Sequence, residues 1–157
     1  FRYSKYVRII AMRRENKKTV LVFGTFDGLH EGHRFFLKQA RTLGQKLVAS
    51  VAADRVITEI KKRPPVFSLA ERMRVLRESG LVDEAAPGDE ELGNWSAVRK
   101  WEPDVIALGY DQTELEQELR AFIKKERLPI AIVRIASHQP NLLHSRLLRK
   151  NQGNQKK

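Results

Sequence analysis

Short apolar runs alternate with stretches of helical spacing along almost the whole chain, and this alternation narrows the fold more than any other feature. The first run, residues 19–24 (TVLVFG), is β-branched, apolar and closed by a glycine, as a buried strand should be. Over residues 30–43, Phe35, Phe36, Ala40 and Leu43 recur at helical spacing, and Gly44 supplies the stop. Residues 46–53 (KLVASVAA) read as a second strand. Ser68 and Glu71 have capping-box spacing, so a helix is predicted over 68–79 with Gly80 ending it. A strand over 82–86, a short helix over 94–101 and a strand over 104–108 closed by Gly109 follow. A helix over 111–126 opens on Asp111 and Glu114, again at capping-box spacing, then come a strand over 129–135 and a closing helix over 142–150. Strands separated by helices cannot pair as hairpins. They predict an α/β fold: a doubly wound, five-stranded, mostly parallel sheet with helices on both faces, Rossmann-like.

The chain's 157 residues suit one domain, and neither an internal repeat nor a linker divides it. The expected organisation is a basic, helical N-terminal extension over 1–18, the α/β domain over 19–150 and a polar tail over 151–157. In the extension, Tyr3, Tyr6, Val7 and Ile10 share one helical face among Arg2, Lys5, Arg8 and Arg13, a pattern that suits packing on the domain or on a second copy. No apolar run approaches the ~20 residues of a membrane span, and the N-terminal stretch lacks a signal peptide's apolar centre. The absence of cysteine excludes disulfides and thiolate metal sites, and a cytoplasmic protein is expected. A net charge of +11 favours an anionic partner: nucleic acid, an acidic membrane surface or a small polyphosphate.

Chemistry concentrates where the first strand ends, in Gly24-Thr25-Phe26-Asp27-Gly28-Leu29-His30-Glu31-Gly32-His33. A doubly wound sheet places ligands outside the carboxyl ends of its strands, and a helix N-terminus there favours phosphate through its free N–H groups and dipole. Two histidines three apart share a face of the first turn, so their ring N–H groups can point at the same phosphate oxygens, with Gly32 leaving room for approach. Zinc ligation by the pair is the competing reading. It ranks lower, because the chain has only four histidines and the pair only a single carboxylate close by.

The block resembles the G-x-F-D-x-x-H-x-G-H signature of the cytidylyltransferase-like nucleotidyltransferases. The resemblance spans residues 19–149 and continues in Ser68-Leu69-Ala70-Glu71-Arg72, in Val82-Asp83-Glu84 and in residues 103–112 (PDVIALGYDQ). With His144-Ser145 near the end, the chain is most similar to the archaeal-type FAD synthases, which move AMP from ATP onto FMN. Glycerol-3-phosphate cytidylyltransferases are next in layout, but tend to carry an acidic pair where this chain has Tyr110-Asp111.

The resemblance implies direct in-line attack of an acceptor phosphate on the α-phosphate of a nucleoside triphosphate, with pyrophosphate leaving. It implies that His30 and His33 donate to α-phosphate oxygens while Gly24, Thr25 and Phe26 line the phosphate turn. Asp27 would hold that turn or approach Mg²⁺. Lys61, Lys62 and Arg63 are expected in a mobile loop that closes on substrate phosphates, with Lys61 and Arg63 at the family's basic positions and Lys62 as the substitute if the alignment shifts by one. Arg72 is either a further phosphate contact or a surface residue. Gly109, Tyr110 and Asp111 should edge the nucleotide site; Asp111 is alternatively a helix cap or a neighbour of Mg²⁺. Ser145 and Arg146 would meet the β- and γ-phosphates at a last helix N-terminus. A flavin acceptor needs an aromatic slot, for which Phe67, Trp95, Trp101 and Tyr110 are available, each equally placed for the core. The expected partners are ATP or CTP, a phosphorylated acceptor and a second copy of the chain, without a membrane. The reading from a different class is a basic nucleic-acid-binding module that kept the fold and lost turnover; it would bind with steep salt dependence.

Overall fold

The computed structural model describes residues 17–137. The predicted N-terminal helix, the closing helix over 142–150, Ser145 and Arg146 lie outside the described residues. Within them, the strands are β1 Thr19–Gly24, β2 Lys46–Val51, β3 Glu84–Pro87, β4 Val105–Gly109 and β5 Ala131–Ile135. The helices are α1 Glu31–Arg41, α2 Asp54–Lys61, α3 Leu69–Ser79, α4 Ser96–Trp101 and α5 Thr113–Glu126. All pairings are parallel and the order is β3-β2-β1-β4-β5, so the sheet is wholly rather than mostly parallel.

Alternation along β1 shows how the layers form. Val20 and Val22 join Leu37 and Ala40 of α1 and Met73 and Leu76 of α3 in one core, while Leu21 joins Val98 of α4 and Leu119 and Phe122 of α5 in the other. Period-two side-chain direction thus sends β1 to both faces at once, which is why its sequence is apolar throughout. The chain leaves β1 for β2 on one side and returns to pair β4 on the other. The order therefore reverses between β1 and β4, and at such a switch point a doubly wound sheet places its ligand crevice, outside the carboxyl ends of the two strands.

Two local expectations are corrected. Lys61, expected in a loop with Lys62 and Arg63, instead closes the helix α2, and Lys62 is its left-handed C-cap at φ 56°. Asp111 does not cap α5: the N-cap is Gln112, and no side chain bonds to that helix end. The Gln112 amide is used elsewhere. Its Oε1 accepts from Gly109 N–H at 2.8 Å and its Nε2 donates to Phe23 O at 3.0 Å, tying β4 to β1 across the crevice.

Candidate active site

At the end of β1 the chain must turn sharply into α1. Phe26 takes a left-handed conformation (φ 48°), unusual for an aromatic residue, and is only 3% exposed. Its ring covers Gly24 so closely that a Cβ there would lie 2.8 Å from two ring carbons, which accounts for the glycine. Burial of the ring and the bare glycine beneath it hold the strained turn in place.

Beyond the turn, the two histidines form a capping box. His30 is the N-cap of α1, and its Nδ1 accepts from Gly32 N–H at 3.1 Å and His33 N–H at 3.3 Å. His33 returns the contact, its Nδ1 accepting from His30 N–H at 3.4 Å. The rings stack with centroids 3.7 Å apart, and His33 meets the Phe26 ring edge-on at 5.5 Å. Turning its Nδ1 toward two helix N–H groups puts the proton of a neutral His30 ring on Nε2, at the far side of the ring, whereas the His33 ring faces both the His30 N–H and the Gly28 carbonyl. The result is a pair of adjacent imidazole rings at the positive end of a helix, an arrangement suited to an anion. Gly32 is required for a reason other than open approach: a Cβ there would lie 2.9 Å from His30 Cε1.

Burial depresses the His33 pKa below its ordinary 6.5, with the neighbouring charges of His30 and Lys61 acting the same way against the Gly28 carbonyl and Asp111. Neutral His33 is therefore the form at pH 7. The same interactions bring Lys61 and Asp111 within electrostatic reach of the ring. Lys61 also acts on Asp27, so the end of α2 faces the β1–α1 turn. Lys62 and Arg63 are exposed beyond it.

Asp27 works as a latch. One carboxylate oxygen accepts from Val66 N–H at 2.8 Å and the other from Phe67 N–H at 2.9 Å, joining the turn to the segment that leads into α3. Desolvation alone would raise its pKa. The two N–H bonds and the charges of Arg72 and Lys61 outweigh this and hold it below the usual carboxylate value.

Arg72 lies neither on the surface nor toward solvent-borne phosphate; it is 1% exposed. Its Nη1 donates to Thr25 O at 2.7 Å, Nε to Phe67 O at 3.0 Å and Nη2 to Asp54 Oδ1 at 2.5 Å. A planar guanidinium can satisfy three acceptors in fixed directions, and here it braces the β1–α1 turn against α2 and the approach to α3. Sequence reasoning missed this strut, its partner Asp54 and the Gln112 tie. An arginine inside an amphipathic helix reads like its exposed neighbour Arg74, and only three-dimensional placement separates them.

On the other side of the crevice, Gly109 ends β4, and Tyr110 (53% exposed) and Asp111 follow at the rim. A Cβ on Gly109 would meet Asp111 Oδ1 at 3.1 Å. The four aromatics divide: Trp95 and Trp101 pack against the core on the α4/α5 face, whereas Phe67 and Tyr110 are exposed. Among the described residues no cluster of three His, Asp or Glu could hold a metal.

A parallel doubly wound sheet with a histidine-capped turn at its switch point has the layout of a nucleotide-handling enzyme of the nucleotidyltransferase kind. The chain belongs to the cytidylyltransferase-like family, whose model matches residues 21–151. Its relatives include the FAD synthase of Thermococcus sibiricus, 40% identical over 124 residues (79% of this chain, 84% of the relative). The FAD synthase of Methanothermus fervidus is 41% identical over 126 residues (78% and 85%). Among solved structures, the lipopolysaccharide core biosynthesis protein from Thermoplasma volcanium matches with TM-score 0.71 and 36% identity, over 78% of this chain and 98% of that one. Pantoate-beta-alanine ligase from Francisella tularensis shares the fold alone, at TM-score 0.57 and 14% identity over 76% of this chain and 59% of that one. The enzymatic reading therefore stands over that of a binding module without turnover.

Proposed function

We propose that the protein transfers AMP from ATP to FMN, giving FAD and pyrophosphate. The observation that carries this is the stacked His30–His33 pair, whose Nδ1 atoms are occupied by the α1 N-terminus. The FAD synthases at about 40% identity favour FMN and ATP over glycerol 3-phosphate and CTP, a pair the same site chemistry would serve.

An FMN phosphate oxygen attacks the ATP α-phosphorus, a P–O bond forms, the bond to the β-phosphate bridge breaks, and pyrophosphate carries away the electron pair. The acceptor phosphate is already anionic, so the reaction requires neither an enzyme nucleophile nor a general base. Catalysis is positioning and charge stabilisation. The ring N–H groups of His30 and His33 hold the non-bridging α-phosphate oxygens, and Gly24, Thr25 and Phe26 shape the turn beneath them. Lys61, with Lys62 and Arg63 beyond it, neutralises incoming phosphate charge; Arg72 acts indirectly, by fixing Thr25 O. Gly109, Tyr110 and Asp111 edge the nucleotide, and Ser145 and Arg146 are assigned to the β- and γ-phosphates.

The donor set fits Mg²⁺ that arrives with the triphosphate, since this ion keeps mostly phosphate and water ligands and needs few carboxylates. Asp111 is the better placed of the two candidate carboxylates, because both oxygens of Asp27 already accept N–H groups. Bound there, Mg²⁺ would neutralise charge on the leaving pyrophosphate. Beyond the small-molecule substrates, the partner proposed is a second copy of the chain, which sedimentation would reveal, and the proposed location is cytoplasmic.

The test is His33→Ala. Removal of one transition-state donor should lower kcat by about 10²–10³-fold, with the fold retained because His33 sits at the site rim. Near-normal kcat would refute the phosphate-contact role.

A further inference from the structure

We infer that Phe67 is the platform on which the acceptor's flavin ring stacks, an assignment that rests on FMN being the acceptor. Large exposed hydrophobic side chains are few among the described residues, and two of them, Val66 at 76% and Phe67 at 45%, belong to the segment that Asp27 joins to the β1–α1 turn. Adjacent exposed apolar side chains next to a site offer a surface that a ligand can cover.

The backbone beneath Phe67 is pinned. Val66 and Phe67 N–H donate to Asp27, and Phe67 O accepts from buried Arg72. These bonds hold the segment in one position, and a stacking surface gains from that because a preorganised platform loses little freedom on binding. The ring lies beside Gly28, with Cε2 only 3.6 Å from where a Cβ on that residue would sit.

Gly28 is two residues before His30, so their Cα atoms are at most about 7.6 Å apart. A five-carbon ribityl arm of ~1.5 Å bonds separates a flavin ring from its phosphate by about 6–8 Å. A ring on Phe67 therefore keeps the FMN phosphate within reach of the histidine pair. The switch point assigns the nucleotide to the crevice between β1 and β4, on the Tyr110 side. The acceptor ring is left with the opposite flank.

The experiment compares wild type, Phe67→Ala and Phe67→Tyr by FMN fluorescence titration and steady-state kinetics, with ribitol 5-phosphate as a ringless competitor. Phe67→Ala should weaken FMN binding and raise its KM by about tenfold, within the range of a single aromatic stack. Phe67→Tyr should restore both. The KM for ATP and inhibition by ribitol 5-phosphate should stay unchanged in all three proteins, which a general structural defect would not allow. If wild type makes FAD and Phe67→Ala binds FMN as tightly, or loses ATP affinity instead, the platform assignment is wrong while the proposed reaction stands. If wild type neither binds FMN nor forms FAD, both fail.

Discussion

Replacing Arg72 with methionine removes the guanidinium while keeping most of the buried side-chain volume, and the structure sets the cost. Asp54 is half-exposed, its side chain 49% accessible, so it regains water and its lost ion pair costs at most ~1 kcal/mol. The carbonyls of Thr25 and Phe67 lose a charged donor in a part-buried setting, at about 1–2 kcal/mol each. The total is about 3 kcal/mol, which for a chain of this size lowers Tm by roughly 6–12 °C. Activity should fall further than stability requires, because Thr25 O is no longer fixed and a misplacement of ~1 Å in the phosphate turn costs on the order of 10²-fold in rate. Calorimetry or urea unfolding gives the first number, and kcat measured at least 15 °C below the variant's Tm gives the second. Arg72→Lys should recover little of either, since one ammonium cannot reach three acceptors in divergent directions. A stability loss under about 1 kcal/mol, or full kcat in the folded variant, would refute the strut.

Gly32→Ala should separate stability from activity. Alanine favours the helix by about 1 kcal/mol, but its Cβ pushes the His30 ring off the cap, which costs about the same, so Tm changes little while kcat falls at least tenfold. A variant with full kcat would contradict the cap's role in presenting the ring. His33 should make stability depend on pH. Its folded pKa lies below 6.5, so as pH falls through 6.5 the unfolded chain takes up a proton that the folded chain resists. That contribution is complete above 6.5 and declines below it. Urea midpoints of wild type and His33→Asn should therefore converge as pH drops from 7.5 to 5, and a constant difference would contradict the depressed pKa.

Where local signals agreed with the tertiary fold, the sequence was legible. The run TVLVFG marks β1 to the residue, and Ser68 with Glu71 forms the predicted capping box of α3, with Gly80 as its left-handed end. The helix α2 was hidden because Ala53, its N-cap, offers no side-chain bond and because Val56, Ile57, Thr58 and Ile60 dilute helix propensity. Asp111 and Glu114 had the right spacing for a cap, but Gln112 bonds across to β1 and sets the helix start one residue later. At the site, the histidine pair could be found from its spacing, yet its use as a reciprocal cap could not, since histidine is not among the usual N-cap residues. Asp27 was legible as a turn residue. Its two partners lie 39 and 40 positions away, a distance no local pattern spans.

The central claim is adenylyl transfer to FMN, and product analysis tests it most directly. Purified protein with Mg²⁺ would be offered ATP or CTP, each against FMN or glycerol 3-phosphate, with pyrophosphate followed in parallel. FAD and pyrophosphate in equal amounts, from ATP and FMN alone, is the predicted result. A CDP-linked product from CTP, or no pyrophosphate with any pair, would contradict it.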